Sequence, residues 1–315
     1  MAGALSVIIP AHNPGPRLRD LLHRLAAESP ASAEIIVVDD GSTDGTAELA
    51  AGPGGSRFRV IRQPRRGRAA ARNAGARAAA GSALLFLDAD VRPAPGITAA
   101  HLRHHADGAA AAVQGRVRPD PAALTTTFMR ARHLYPDLTV RRRARLSPMH
   151  LSAANLSVSA EAFHRIGGFD ETFSGYGWED VDLGWRLARA GVLLRYEPAA
   201  AVWHDHIETL EELLPKWREN GAGAVALWRK HGRAPWLGLL LEVAPVLLPL
   251  KRLVYQRSGL AGLVRAIRPW AERAGCLPLC SECYNFLLWQ AFYEGVFAAL
   301  AQPGHPAAGP VSRKG

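Results

Sequence analysis

The sequence predicts an α/β fold, with a mostly parallel central sheet, helices on both faces and a helical extension at its C-terminal end. Three observations carry this. Short apolar runs alternate with amphipathic stretches through the first third of the chain, and such alternation builds strand–helix–strand crossovers and parallel pairing. Each run ends on polar or turn residues, which in such sheets is the end where ligands bind. Beyond about Gly232 the composition turns apolar and helical, up to a Pro/Gly-rich tail after Gln302.

In order, "SVIIP" (6–10), "EIIVVDD" (34–40), "FRVIR" (58–62) and "ALLFLD" (83–88) read as strands, rich in Val, Ile, Leu and Phe. Leu18, Leu21, Leu22 and Leu25 recur at helical spacing between the first two. "RAAARNAGARAAAG" is an Ala/Arg-rich helix expected to end at Gly81, where glycine is a common terminator. A basic, Pro-punctuated connection with "RRRAR" (141–145) precedes renewed patterning over 149–191, then a strand over 192–197. The expected division is 1–110 and 111–232 as two halves of one domain, 233–302 as a helical extension, and 303–315 as a disordered tail.

Composition excludes little. The 315 residues are 48% hydrophobic and 21% charged, ordinary for a globular chain. The net charge is +10 and the pI about 10.1, so some surface attracts anions: nucleotide phosphates, nucleic acid or an anionic membrane. No basic n-region precedes the first strand, so no signal peptide is expected. The most apolar stretch, 236–250, is short and broken by Glu242, Pro245 and Pro249, so no membrane span is expected. A cytoplasmic location follows, with a peripheral contact at the inner face of the membrane in view. Cys276, Cys280 and Cys283 formally match a CxxxCxxC pattern. Their place far from any strand-to-helix turn favours three reduced thiols.

The sharpest chemical signal is "LLFLDAD" (84–90), where a buried-looking strand ends on Asp88 and Asp90. Two carboxylates this close repel, and desolvation makes either costly to ionise. A divalent cation resolves this, because Mn2+ or Mg2+ prefers carboxylate oxygens and bridges to substrate phosphates. An Asp-rich turn before Pro93 and Pro95 is the bland alternative. Two nucleotide folds are excluded: "PAHNPG" replaces the GxGxxG of a dinucleotide fold, and no GxxxxGK[ST] is present.

Five stretches, "SVIIPAHN" (6–13), "VVDDGSTDGT" (37–46), "RGRAAARNAG" (66–75), "LLFLDAD" (84–90) and "GWEDVDLGWRLARAG" (177–191), resemble the family-2 glycosyltransferases. "IGGFDETF" (166–173) is also typical, and the likeness covers roughly residues 5 to 205. The resemblance implies the GT-A fold, a single Rossmann-like domain, and inverting transfer from a nucleotide-sugar (UDP-linked) to an acceptor hydroxyl. It implies Asp90 as metal ligand, with Asp88 at the ribose and, through water, at the metal, and His204 either completing the metal site or contacting the pyrophosphate, although Asp205 and His206 leave that register open. Pro10, Ala11 and His12 would wall the base pocket, and Asp39 and Asp40 would read uracil and ribose, while Asp44 is a turn former. Arg72 either reaches base or phosphate or is a solvated helix arginine. Asp180 would be the general base, and Trp178 and Glu179 would contact the acceptor; acids at a helix start are also favoured by the macrodipole. Asp182 is expected to pair with Arg186, and Asn155 to line the donor pocket.

The acceptor is open between glycan, lipid-linked sugar, peptide and small molecule, and a homodimer is compatible with the chain. A sugar-1-phosphate nucleotidyltransferase and a non-enzymatic binder of nucleic acid or other anionic ligands are the alternatives. The first lacks a Gly-rich basic loop after strand one, and the second leaves acids at three strand ends unexplained. No nucleic-acid partner is expected.

Overall fold

The computed structural model describes residues 5–51, 57–106, 110–134, 146–173, 175–204 and 207–302. The basic run 141–145, Asp205, His206 and the tail 303–315 lie outside the described residues. Two compact units result. The first draws on residues up to 123, on 146–173 and on 179–204, the second on 124–134, 175–178 and 207–302.

The first unit is built on one sheet ordered β3-β2-β1-β4-β7-β6-β8-β5. Strands β1 (Leu5–Ala11), β2 (Glu34–Asp40), β3 (Phe58–Gln63) and β4 (Ala83–Leu87) pair in parallel. Beyond β4 the sheet is mixed. β7 (Asn155–Ser159) runs antiparallel to β4 and to β6 (Ala111–Pro119). β8 (Leu193–His204) is parallel to β6 and antiparallel to the three-residue β5 (Val91–Pro93).

Alternation along each strand divides the core in two. Val7, Ile9, Leu85 and Leu87 face α1 (Pro16–Glu28), whose Leu18, Leu21, Leu22 and Leu25 are all fully buried there. Each such leucine contributes roughly 1.5–3 kcal/mol by leaving water. Ile8, Leu84 and Phe86 face the other way, onto α3 (Arg68–Ala78), Phe163 of α6 (Ala160–Arg165) and Leu183 and Leu187 of α7 (Glu179–Arg189). Helix α3 lies close because Gly75 has no side chain: a Cβ there would stand 2.4 Å from Ile8 Cγ2.

Two boundaries differ from expectation for local reasons. Helix α3 stops at Ala78, not Gly81, because the next amides leave the helical ladder: Ala80 N–H donates to Glu34 and Gly81 N–H to Ser6 Oγ at 2.8 Å. Strand β8 runs on to His204 through a bulge opposite Gly115 and Arg116, so it ends beside β5.

The second unit is helical: α5 (Thr127–Arg132), α8 (Leu210–Lys230), α9 (Pro235–Leu240), α10 (Leu248–Arg252), α11 (Leu260–Arg273) and α12 (Leu277–Ala301), with one π-type turn at Leu253–Arg257. A reciprocal capping box, Thr209 with Glu212, starts α8. Helices α8 and α12 cross at two glycines, since a Cβ on Gly221 would meet the Phe292 carbonyl and one on Gly295 that of Arg218, each at 1.9 Å. Beside this crossing Trp217 packs edge-on against Trp289 at 5.6 Å. The three thiols are free. Cys280 and Cys283 are buried in α12 and Cys276 is exposed before it, and burial raises the pKa of both buried thiols.

Candidate active site

Parallel pairing places the C-terminal ends of β1, β2 and β4 along one sheet edge, with Ala11 opposite Asp39 in register. There the loops interlock: Ser42 Oγ accepts from Asn13 N–H at 3.0 Å, and Asn13 Oδ1 accepts from Thr43 N–H at 2.8 Å. Asp44 joins them, accepting from Gly15 N–H and Thr46 N–H at 3.1 Å each, which fits its reading as a turn former. Pro10 is half-buried and Ala11 buried in the last residues of β1. His12 Nδ1 lies 3.0 Å from the Asp40 carbonyl. A carbonyl only accepts, so Nδ1 carries the proton.

Asp39 and Asp40 are both buried but do different things. Asp39 Oδ1 accepts from Ser42 N–H at 2.9 Å, closing the turn after β2. Asp40 is engaged through both oxygens, by Gln63 Nε2 at 2.7 Å and by the Arg66 and Gly67 amides at 2.8 Å each. Its carboxylate anchors the loop that leads into α3.

Arg72, four residues into that loop's helix, is the centre of the site. Its side chain is only 2% exposed, so the solvated alternative is overturned. The guanidinium donates to Asp88 Oδ1 at 2.8 Å, to Glu179 Oε1 at 3.2 Å and to Asp180 Oδ1 at 3.5 Å, and lies over the Phe169 ring at 5.4 Å. Burial opposes its charge, but the carboxylates of Asp180, Asp88 and Glu179 outweigh burial and raise its pKa. Arg68 adds a second cation, with Nε 2.9 Å from Glu179 Oε1.

The acidic pair that opens α7 is split. Glu179 is buried between Arg68 and Arg72, and its carboxylate is the counter-ion of both arginines. Asp180 keeps 18% of its side chain exposed and accepts from Ala153 N–H at 2.9 Å. Burial first, then the Glu179 charge, push its pKa up to about 7, against the pull of Arg72 and the Ala153 amide. Asp182 points into the core and accepts from Arg186 Nε at 2.8 Å, as its spacing implies.

Asp88, Asp90 and His204 offer ligand atoms that all lie within 4.8 Å of one another, and among the described residues they are the group that could hold a metal ion. Pairing of β5 with β8 sets Val91 opposite His204 and so brings the imidazole beside Asp90, with Nε2 3.4 Å from Oδ1. Two carboxylates and one imidazole suit Mn2+ or a similar divalent ion.

Asn155 does not line this site. It is fully buried, donates to the Ala200 carbonyl at 2.9 Å and the Arg116 carbonyl at 3.2 Å, and meets His101 Nε2 at 2.9 Å. It joins β6, β7 and β8 instead. Trp178 belongs to the second unit, where its Nε1 donates to the Asn220 carbonyl at 2.6 Å and its ring lies against Gly223. Sequence reasoning missed the charge-holding roles of Arg68 and of Glu179. The signal present was an ED pair following a helix with two arginines one turn apart, Arg68 and Arg72.

Comparison with known proteins agrees with this architecture. The chain is 34% identical over 237 residues to the pre-mycofactocin glycosyltransferase of Mycobacterium tuberculosis, covering 72% of this chain and 48% of that protein. It is 33% identical over 225 residues to the validoxylamine A glucosyltransferase of Streptomyces hygroscopicus subsp. limoneus, covering 60% of this chain and 48% of that protein. It thus spans about half the length of these relatives. A mannosyltransferase from Pyrobaculum calidifontis, solved with GDP-Man and Mn2+, superposes with TM-score 0.58 at 18% identity over 93% of this chain and 87% of its own. A second structure, solved with UDP, GalNAc and Mn2+, gives TM-score 0.52 at 19% identity over 69% of this chain and 47% of its own. At these identities the likeness establishes the GT-A fold. The family described as N-terminal domain of galactosyltransferase matches residues 144–206. The family described as glycosyl transferase family 2 matches residues 6–167, just over half the chain, and this chain belongs to that family.

Proposed function

We propose that the chain transfers a sugar from a nucleoside diphosphate sugar, UDP-linked, to an acceptor hydroxyl with inversion at the anomeric carbon. The observation that carries this reading is the single guanidinium of Arg72 joining Asp88, on the donor side, to Asp180, a half-buried carboxylate of raised pKa. Asp39 accepts hydrogen bonds from the nucleoside, and Pro10, Ala11 and His12 border the base. Asp40 holds the loop that presents Arg68 and Arg72, and Arg72 acts through its carboxylates. Asp88, Asp90 and His204 would hold Mn2+ or Mg2+, which when bound neutralises charge on the departing diphosphate.

Asp180 accepts the proton of the acceptor hydroxyl. As that proton moves, the hydroxyl oxygen bonds to the anomeric carbon, the carbon–oxygen bond to phosphate breaks, and the nucleoside diphosphate leaves with the electron pair. One displacement gives one inversion. Trp178 would contribute an aromatic surface to the acceptor. The domain reading is that 1–110 serves the donor, 111–232 the acceptor, with 233–302 as a helical extension. The named relatives act on different molecules, mycofactocin precursor and validoxylamine A, so glycan, lipid-linked, peptide and small-molecule acceptors all fit the family.

Calorimetric titration of UDP with and without Mn2+ tests the donor site. Mn2+ should strengthen UDP binding to the parent, and Asp90→Asn should lose that enhancement while keeping the fold. A variant that retains the full Mn2+ effect removes Asp90 from the ligand set.

A further inference from the structure

Apolar exposure in this protein is concentrated. Of the eleven large apolar side chains exposed among the described residues, nine lie between Trp236 and Trp270. On α9, Trp236, Leu239 and Leu240 share one face and are each about half exposed. Around α10, Val246 is 77%, Leu250 59% and Leu253 55% exposed. On α11, Leu260, Leu263 and Trp270 are exposed parts of one apolar side, whose edge supplies buried Ala271. An apolar helix side that is only partly covered by its own unit has surface still to bury. Exposed apolar surface on this scale marks an interaction site.

Charge says what covers it. Residues 233–275 hold seven Arg and Lys against two acids. Both acids are engaged inside the unit: Glu242 with Lys251 at 2.7 Å and with the Tyr293 hydroxyl, Glu272 with the Tyr284 hydroxyl at 2.6 Å and Arg268 at 3.6 Å. The surplus is basic and includes exposed Arg252, Arg257, Arg265 and Arg273. A groove of about 410 Å³ combines both chemistries. Leu248, Pro249, Leu253, Phe297 and Leu300 line it, with Arg252 and Arg257 among them, and the Arg252 guanidinium lies 4.4 Å over the Phe297 ring.

We propose that this face of the second unit seats on an anionic phospholipid surface, with acyl chains against the groove and phosphates at Arg252 and Arg257. No helix of the described residues is long and apolar enough to cross a membrane. The face therefore lies on the bilayer, where aromatic and aliphatic residues enter the interface and basic ones meet headgroup phosphates. The inference is independent of the sugar-transfer reading, since none of its residues belongs to that site.

The test is flotation of the full chain with phosphatidylcholine vesicles with and without phosphatidylglycerol, at low and high salt. The parent should float with the phosphatidylglycerol vesicles and be partly released by salt. Arg252→Gln with Arg257→Gln should weaken partitioning by roughly tenfold or more. Leu250→Ser with Leu253→Ser should weaken it at either salt concentration. All four side chains are at the surface, so unchanged circular dichroism and melting should accompany the loss. A parent that stays unbound at low salt, or variants that float like the parent, overturns the proposal. So does a lipid-free dimer that Leu250→Ser with Leu253→Ser dissociates, because the face then belongs to a second copy of the chain.

Discussion

Asp180 and Arg72 together define what the site is able to do. A carboxylate of ordinary pKa near 4 is a weak base toward a sugar hydroxyl, and one raised to about 7 is better matched to the task. A base acts only when unprotonated, so kcat/KM should rise with pH through an acidic limb near 7. A limb near 4 would remove Asp180 from that role. Asp180→Asn keeps the size and deletes the basicity, so turnover should fall by roughly 10²-fold or more with UDP affinity nearly unchanged. Loss of activity in Glu179→Gln with near-parental transfer by Asp180→Asn would move the base role to Glu179. Arg72→Met should be harsher on the fold, because it strips the shared cation from three carboxylates. Removing one partner of a buried ion pair costs about 3–5 kcal/mol, which chemical denaturation would measure. In whatever fraction folds, the acidic limb should move to higher pH, since Arg72 holds the Asp180 pKa down.

At the scale of elements, legibility followed the range of the interactions. Strands β1, β2 and β4 were readable because burial on both faces leaves an unbroken apolar run, and α1 because its four leucines repeat at helical spacing. Arg72 was not, because its partners lie 16, 107 and 108 residues away and nothing local separates it from a solvated arginine. The short β5 "VRP" carries two residues unlike a strand, yet its pairing with β8 is what brings His204 to Asp90. Asp39 and Asp40 both read as nucleotide contacts in sequence, but successive strand residues point to opposite faces, and of the two Asp40 meets the β3–α3 loop. The tight seat of α3 on the sheet yields a prediction. Gly75→Val would drive side-chain atoms into Ile8 and Val38, costing about 1–3 kcal/mol by overpacking and displacing Arg72 with its helix. Melting should fall, and transfer should fall further than stability alone explains, whereas Gly262→Ala, at an open position of α11, should leave transfer unchanged.

At the scale of the whole molecule, the charged site and the apolar helices belong to different units with their own cores. The residues proposed for the donor and the metal, from Pro10 to His204, all fall in the first. A ligand that binds only the folded form stabilises it by RT ln(1 + [L]/Kd), about 2.7 kcal/mol at a hundredfold excess over Kd. That stabilisation belongs to the unit that binds. Mn2+ with UDP should therefore slow amide exchange in β1, β2, α3, β4 and α7, and leave α9, α10 and α11 unchanged. Chelation should reverse the effect, and Asp90→Asn should abolish the part that depends on Mn2+. Because Asp88 and Asp90 also repel one another, the metal-free variant should exchange no faster than the metal-free parent near β4. Protection spread equally over α9 to α11 would show that the helices take part in donor binding and would overturn the confinement of the donor site to the first unit.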